Sequence, residues 1–132
     1  MSDDLFDGLK MQDVGSWIAG PVAGTIHVDY GVDVIKIEML EVGDAYRNLF
    51  DTAIVPDAST NYMWDMDALN KQSPSLILKT EEGLKILHRL IEQCDVYITN
   101  QSFPLRGRLG LNYKEIKALN PSMIYALAEC LW

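Results

Sequence analysis

"WIAGPVAGTIHVDYGVDVIKIE", Trp17 to Glu38, is the stretch whose reading decides the fold. Gly20, Pro21, Ala23 and Gly24 crowd small residues between two apolar runs, which reads as a turn where something approaches the backbone closely. A short helix is expected from Ala23 to Tyr30, stopped by Gly31. Val32 to Glu38 is a β-branched run of strand length. Upstream, Leu9 to Val14 is a weak strand candidate. Strand, turn, helix and strand in that order make a βαβ unit.

Downstream the alternation continues. Met39 to Gln72 has no clear period, and Gly43, Pro56, Asp57 and Ser59 mark it as loop. Ser75 to Leu78 is a short strand. Glu81 to Gln93 is the strongest helix: Thr80 can cap it, and two glutamates occupy its first turn. Its Leu84, Leu87, Leu90 and Ile91 share one face. Asp95 to Thr99 is a strand. Asn112 and Glu115 form a capping-box-like start for a helix through Leu119, which Pro121 ends. Met123 to Ala128 is a last strand. The order implies an α/β domain, Rossmann-like, with a mostly parallel sheet flanked by helices and spanning residues 1–132 as one unit. Ligands of such sheets bind in strand-to-helix turns at the strands' carboxyl ends. The opening stretch is one such turn, although Gly20 and Gly24, four apart, would equally let a helix pack tightly on the sheet.

Composition narrows the function classes. Apolar residues make up 48% and charged residues 23% of 132, as expected of a globular chain. A net charge of -8 argues against nucleic acid and against an anionic membrane surface, since both need a basic field. It leaves room for a phosphorylated ligand held by a few local cations. The acidic opening "MSDDLFDGLK" lacks the features of a signal peptide, and no run approaches the length of a membrane span. A cytoplasmic location is expected, with Cys94 and Cys130 reduced.

No independent catalytic or metal constellation emerges. Glu38 ends a strand about where a ribose-binding acid would sit, yet there is no G-x-G-x-x-G and no P-loop lysine. His27 and Asp29 do not share a helix face. His88 reads as a boundary residue. Asp65 and Asp67 lack a third ligand at metal-binding spacing, and Tyr62 and Trp64 beside them read as packing residues. Cys130 has no evident activating partner.

Several segments taken together nonetheless resemble one family. "IAGPVAG" (18–24), "YGVDVIKIE" (30–38), "LNKQSPSLILKTEEGLKILHRLIEQCDVYITN" (69–100) and "RGRLGLNYKEIKALNPSMIYA" (106–126) occur in the order and spacing of the class III CoA-transferases, the CaiB/BaiF family. The match runs from about Leu9 to Tyr125. The resemblance implies a Rossmann-type large domain and transfer of CoA between carboxylates through an aspartate that forms anhydride and thioester intermediates. Carried over residue by residue, it implies a CoA site with Ala19 in the A-G-P turn, Leu76 and Lys79 at the nucleotide end, and Asn100 and Arg108. The two cations would pair with phosphate. On this reading the A-G-P turn lies close to the thioester-bearing arm of CoA.

The sequence also departs from the family pattern. Ser16 stands where a larger polar residue is common, Met39 where a basic one is, Gln72 for the arginine of N-K-R-S, and Gln101 for an aromatic. After "IYALA" the chain reads "ECLW", Glu129 to Trp132, in place of a glycine-rich loop. The expectation is therefore a truncated large domain with no catalytic residue of its own, inactive by itself. The alternative is a non-catalytic oligomerisation or partner-binding module that keeps the fold without CoA affinity. Either way a homo-oligomer is expected, with Leu131 and Trp132 buried in its interface.

Overall fold

Met11 and Asp13 point to one side of their strand and Gln12 and Val14 to the other. All four are buried, so this strand is covered on both faces. The computed structural model describes residues 4–50 and 52–128. Strand β1 (Lys10–Asp13) lies between β2 (Asp33–Lys36) and β5 (Val96–Thr99), with β6 (Ile124–Leu127) beyond β5. The order is β2-β1-β5-β6 and every pairing in it is parallel. A two-residue parallel pair, β3 (Glu38–Met39) with β4 (Ser75–Leu76), continues outward from β2.

Helix α1 (Ala19–Asp29) covers one face, where Met11, Val32, Val34 and Ile98 gather with Ala23 and Val28. Helices α3 (Glu81–Ile91) and α5 (Tyr113–Leu119) cover the other, burying Leu87, Ile91 and Ile116 against Val14, Tyr97, Leu111 and Met123. The short α2 (Tyr62–Asp67) and α4 (Phe103–Leu109) fill loop regions. The expected Rossmann-like parallel architecture is thus the observed one.

Four local expectations need correction. The small-residue stretch is helix rather than turn: α1 begins at Ala19 and takes in Gly20 and Pro21. Proline is tolerated there because N–H groups of the first turn have no intrahelical partner. The run Val32–Glu38 is two strands, since Ile37 leaves β2 and β3 pairs with a different neighbour. The presumed loop 39–72 contains α2 and a 3-10 turn at Arg47–Leu49. Finally, Thr80 does cap α3, its Oγ1 accepting from Gly83 N at 3.1 Å, whereas Asn112 makes no side-chain cap to α5.

Candidate functional site

The chain crosses from β1 through α1 to β2 on one side, and later returns from β4 through α3 to β5 on the other side of β1. The carboxyl ends of β1 and β5 therefore form the switch point where open parallel sheets bind ligands. A cleft of about 470 Å³ opens there. Its floor is Val14, Ile37 and Leu76, one wall is residues 39–45, and Leu105 and Leu109 of α4 close the far side. Ser16, Trp17, Gln101 and Lys79 also line it. Among the described lining residues Lys79 is the one Lys or Arg, and Glu38, Glu41 and Asp44 are the acids.

Buried charges build this rim. Lys36 Nζ, 1% exposed, reaches Asp44 Oδ2 at 2.8 Å and donates to Gly15 O at 2.9 Å. Asp44 Oδ1 in turn accepts from Trp17 N at 3.1 Å and Tyr46 N at 2.9 Å. Asn100 braces the same turn with two bonds to Ser16, Oδ1 accepting from its N–H at 2.9 Å and Nδ2 donating to its carbonyl at 2.6 Å. Glu38 accepts from Arg47 Nη2 (2.8 Å), Ser73 Oγ (2.6 Å) and Asp44 N (3.2 Å). Burial alone would raise the Glu38 pKa, but these donors outweigh it and hold the carboxyl below its ordinary value. Arg47 then lies over the Trp64 ring, 4.0 Å from its centroid.

A second buried pair sits behind the rim. Lys71 Nζ meets Asp13 Oδ2 at 3.2 Å, both side chains almost wholly buried, and also donates to Pro21 O. Burial pushes the Lys71 ammonium below its usual pKa, partly offset by Asp13. Gly24 makes room for this pair: a Cβ there would stand 3.1 Å from Lys71 Cε and Nζ and 3.3 Å from Asp13 Oδ2. Gly20 packs against Gly15, where a Cβ would be 3.3 Å from the Gly15 Cα. The small residues of α1 thus admit the protein's own backbone and an ion pair.

Of the five residues suggested by motif, Leu76 and Lys79 line the cleft. Asn100 supports the turn beside it. Arg108 is exposed on α4, next to the cleft-lining Leu109, with Nε donating to Pro104 O at 3.3 Å. Ala19 is exposed at the first turn of α1 and is not a lining residue. The sequence reading missed the pairs Lys36–Asp44 and Lys71–Asp13, the 39–45 wall and Trp17. A lysine inside a strand of Val and Ile was the available signal for the first pair.

The other candidates have structural employment. His27 Nδ1 lies 2.7 Å from Ala23 O, and His88 is half-buried on α3. Trp64 is packed as expected, but Tyr62 is exposed, a correction. Asp67 is buried, its carbonyl accepting from Thr25 Oγ1 at 2.6 Å. Among the described residues no group of three or more His, Cys, Asp or Glu could hold a metal ion. Cys94 is a free buried thiol whose pKa burial pushes up to about 11. Glu129, Cys130, Leu131 and Trp132 lie outside the described residues. No described helix is long and apolar enough to cross a membrane.

A parallel α/β sheet with a cleft at its switch point defines a class of ligand-binding domain. The sequence places this one within that class. The model of CoA-transferase family III matches residues 6–130, and the chain belongs to that family. It is 33% identical over 123 residues to (R)-2-hydroxy-4-methylpentanoate CoA-transferase of Clostridioides difficile, covering 92% of this chain and 31% of that protein. It is likewise 33% identical to cinnamoyl-CoA:phenyllactate CoA-transferase of Clostridium sporogenes, covering 93% of this chain and 30% of that one. A CaiB/BaiF family protein from Brucella suis superposes with a TM-score of 0.80 at 33% identity, over 92% of this chain and 32% of that chain. This chain spans about a third of the length of these relatives.

Proposed function

We propose that this chain forms the CoA-binding part of a class III acyl-CoA:carboxylate CoA-transferase, with CoA or an acyl-CoA in the switch-point cleft. One observation carries the reading. Leu76 and Lys79, singled out by motif alone, both line that cleft, and Lys79 is the cation among its described lining residues. In this arrangement Lys79 pairs with a CoA phosphate and Arg108 approaches from the outer end of α4. Leu76 packs under the ligand, Asn100 holds the Ser16 turn in place, and Ala19 lies at the first turn of α1 toward the thioester arm.

Calorimetric titration with CoA tests this. Binding is expected to be weak and to weaken further with added salt. Lys79→Ala should cost about 1.5 kcal/mol, roughly tenfold in Kd, the low end for a charge-assisted contact because the side chain is exposed. No heat and no chemical-shift change at millimolar CoA would remove the reading.

A second reading has one observation in its favour. Met39 and Gln101, two departures from the family pattern, both line the cleft, so both changes fall on the surface a ligand would touch. A module that keeps the fold for partner binding or self-association without CoA affinity would show that silent titration.

A further inference from the structure

Two residues lining the cleft hold a left-handed backbone, Trp17 at φ +66° and Glu41 at φ +72°. Such strain persists only where the surroundings impose it. At Trp17 they are the bonds from Asn100 to Ser16 and from Asp44 to Trp17 N. At Glu41 a tight turn does the same. Leu40 N donates to Leu76 O at 3.3 Å, and Gly43 N closes back on Met39 O at 2.8 Å. Met39 is the register partner of Leu76, so this turn stands one strand spacing, about 5 Å, from the run that carries Lys79.

The charges at that end of the cleft do not match those of CoA. Glu38 and Asp44 are answered by Arg47 and Lys36, which are thereby engaged within the protein. Glu41 is exposed and enters no ion pair among the described residues, and Met39 on the same turn is neutral and 56% exposed. Lys79 in the cleft and Arg108 on α4 remain as cations for a ligand. A diphosphate bridge carries about two negative charges, and a ribose 3′-phosphate adds about two more. Two cations balance the bridge and leave none for the ribose phosphate, which meets Glu41 instead. We infer that the cleft takes the pantetheine carrier without its ribose phosphate, dephospho-CoA and its acyl thioesters, in preference to CoA, with Glu41 as the discriminating residue. The preference rests on the CoA reading of the cleft and narrows its ligand class.

Calorimetric titration with CoA and with dephospho-CoA at low ionic strength tests this. Dephospho-CoA is expected to bind about fivefold more tightly, the effect of one exposed carboxylate on a dianion acting through water. Added salt should narrow the gap, since exposed charges are screened. Glu41→Gly removes the carboxylate and suits φ +72°, so the variant should fold and the gap should close. Met39→Arg places a cation on the same turn and should reverse the preference. A parent chain that binds CoA as tightly as dephospho-CoA, or more tightly, overturns the inference. So does a gap that survives high salt or persists in a folded Glu41→Gly variant. If that variant does not fold, Met39→Arg decides, and a preference it leaves unchanged overturns the inference. In each of these cases the parent chain still binds a CoA compound, whereas a parent chain that takes up neither ligand overturns the cleft reading itself and this preference with it.

Discussion

Glu38 shows how one residue ties the cleft wall to the sheet. Its carboxylate receives Arg47, Ser73 and the Asp44 N–H, so it joins β3, the 3-10 turn and the segment before β4. Gly43, at φ +72°, sits where a Cβ would come within 3.1 Å of Glu38 Oε2, so the wall turns tightly around the acid. Because the folded-state pKa of Glu38 lies below its ordinary 4.5, the unfolded chain takes up the proton first as pH falls. Its contribution to stability is complete above pH 4.5 and disappears as pH drops through the depressed value. Urea midpoints measured from pH 7 downward should fall on this account, and Glu38→Gln should flatten that acid limb while lowering the midpoint at pH 7. An unchanged acid limb in the variant would contradict the assigned role.

At the scale of elements, α3 depends on one contact with the run that carries Lys79. Gly83 in its first turn lies against the backbone of Ile77, where a Cβ would be 2.1 Å from the carbonyl oxygen. Thr80, between them, caps the helix at Gly83 N and donates its own hydroxyl to Ile77 O at 2.8 Å. Helix and cleft edge are thus pinned together by small atoms. Gly83→Ala is expected to destabilise the chain by about 3 kcal/mol, read from urea unfolding, because backbone must move to admit the methyl. Helix propensity alone argues the other way, for a gain of up to about 1 kcal/mol. The sign of the change therefore decides whether the close approach governs. Helix α4 makes a different point. It is seven residues long and contains Pro104 and Gly107, so neither period nor propensity revealed it. Proline in its first turn and Gly110 in the left-handed C-cap nonetheless bound it well.

For the whole molecule, the described surface carries Ile54 (80% exposed), Phe103 (68%) and Ile124 (64%), and β6 has no partner on its outer side among the described residues. Bare edges and apolar side chains of this kind favour association, and a self-complementary dimer covers one surface twice. Light scattering at tens of micromolar is expected to give a dimer or larger species; a monomer would refute it. Transfer chemistry is expected to be absent from these 132 residues alone. Of the three acids that line the cleft, Glu38 and Asp44 are occupied by Arg47, Ser73, Lys36 and backbone N–H groups, and Glu41 is exposed to solvent on the 39–45 wall, so none is a free carboxylate held out of water for attack. An acyl or CoA adduct on any carboxylate, found by mass spectrometry after incubation with acyl-CoA, would overturn that.

The sequence by itself determined the parallel α/β class, the α3 helix with its Thr80 cap, and the family. Each rests on local information: β-branched runs, one apolar helical face, a hydroxyl before two glutamates, and motifs in fixed order. Lys79 and Leu76 were legible as candidates for the same reason. Only the tertiary structure decided where α1 begins, why Gly24 must be small, and which lysines are buried. Asp13 and Lys71 are 58 residues apart, as are no partners that a periodicity can reveal, and their pairing depends on how α1 lies across β1. The strain at Trp17 is likewise set from a distance, by Asn100 and Asp44, so no property of its neighbours in the chain announces it. Local preferences choose elements; contacts between elements choose the shape and charge of the cleft.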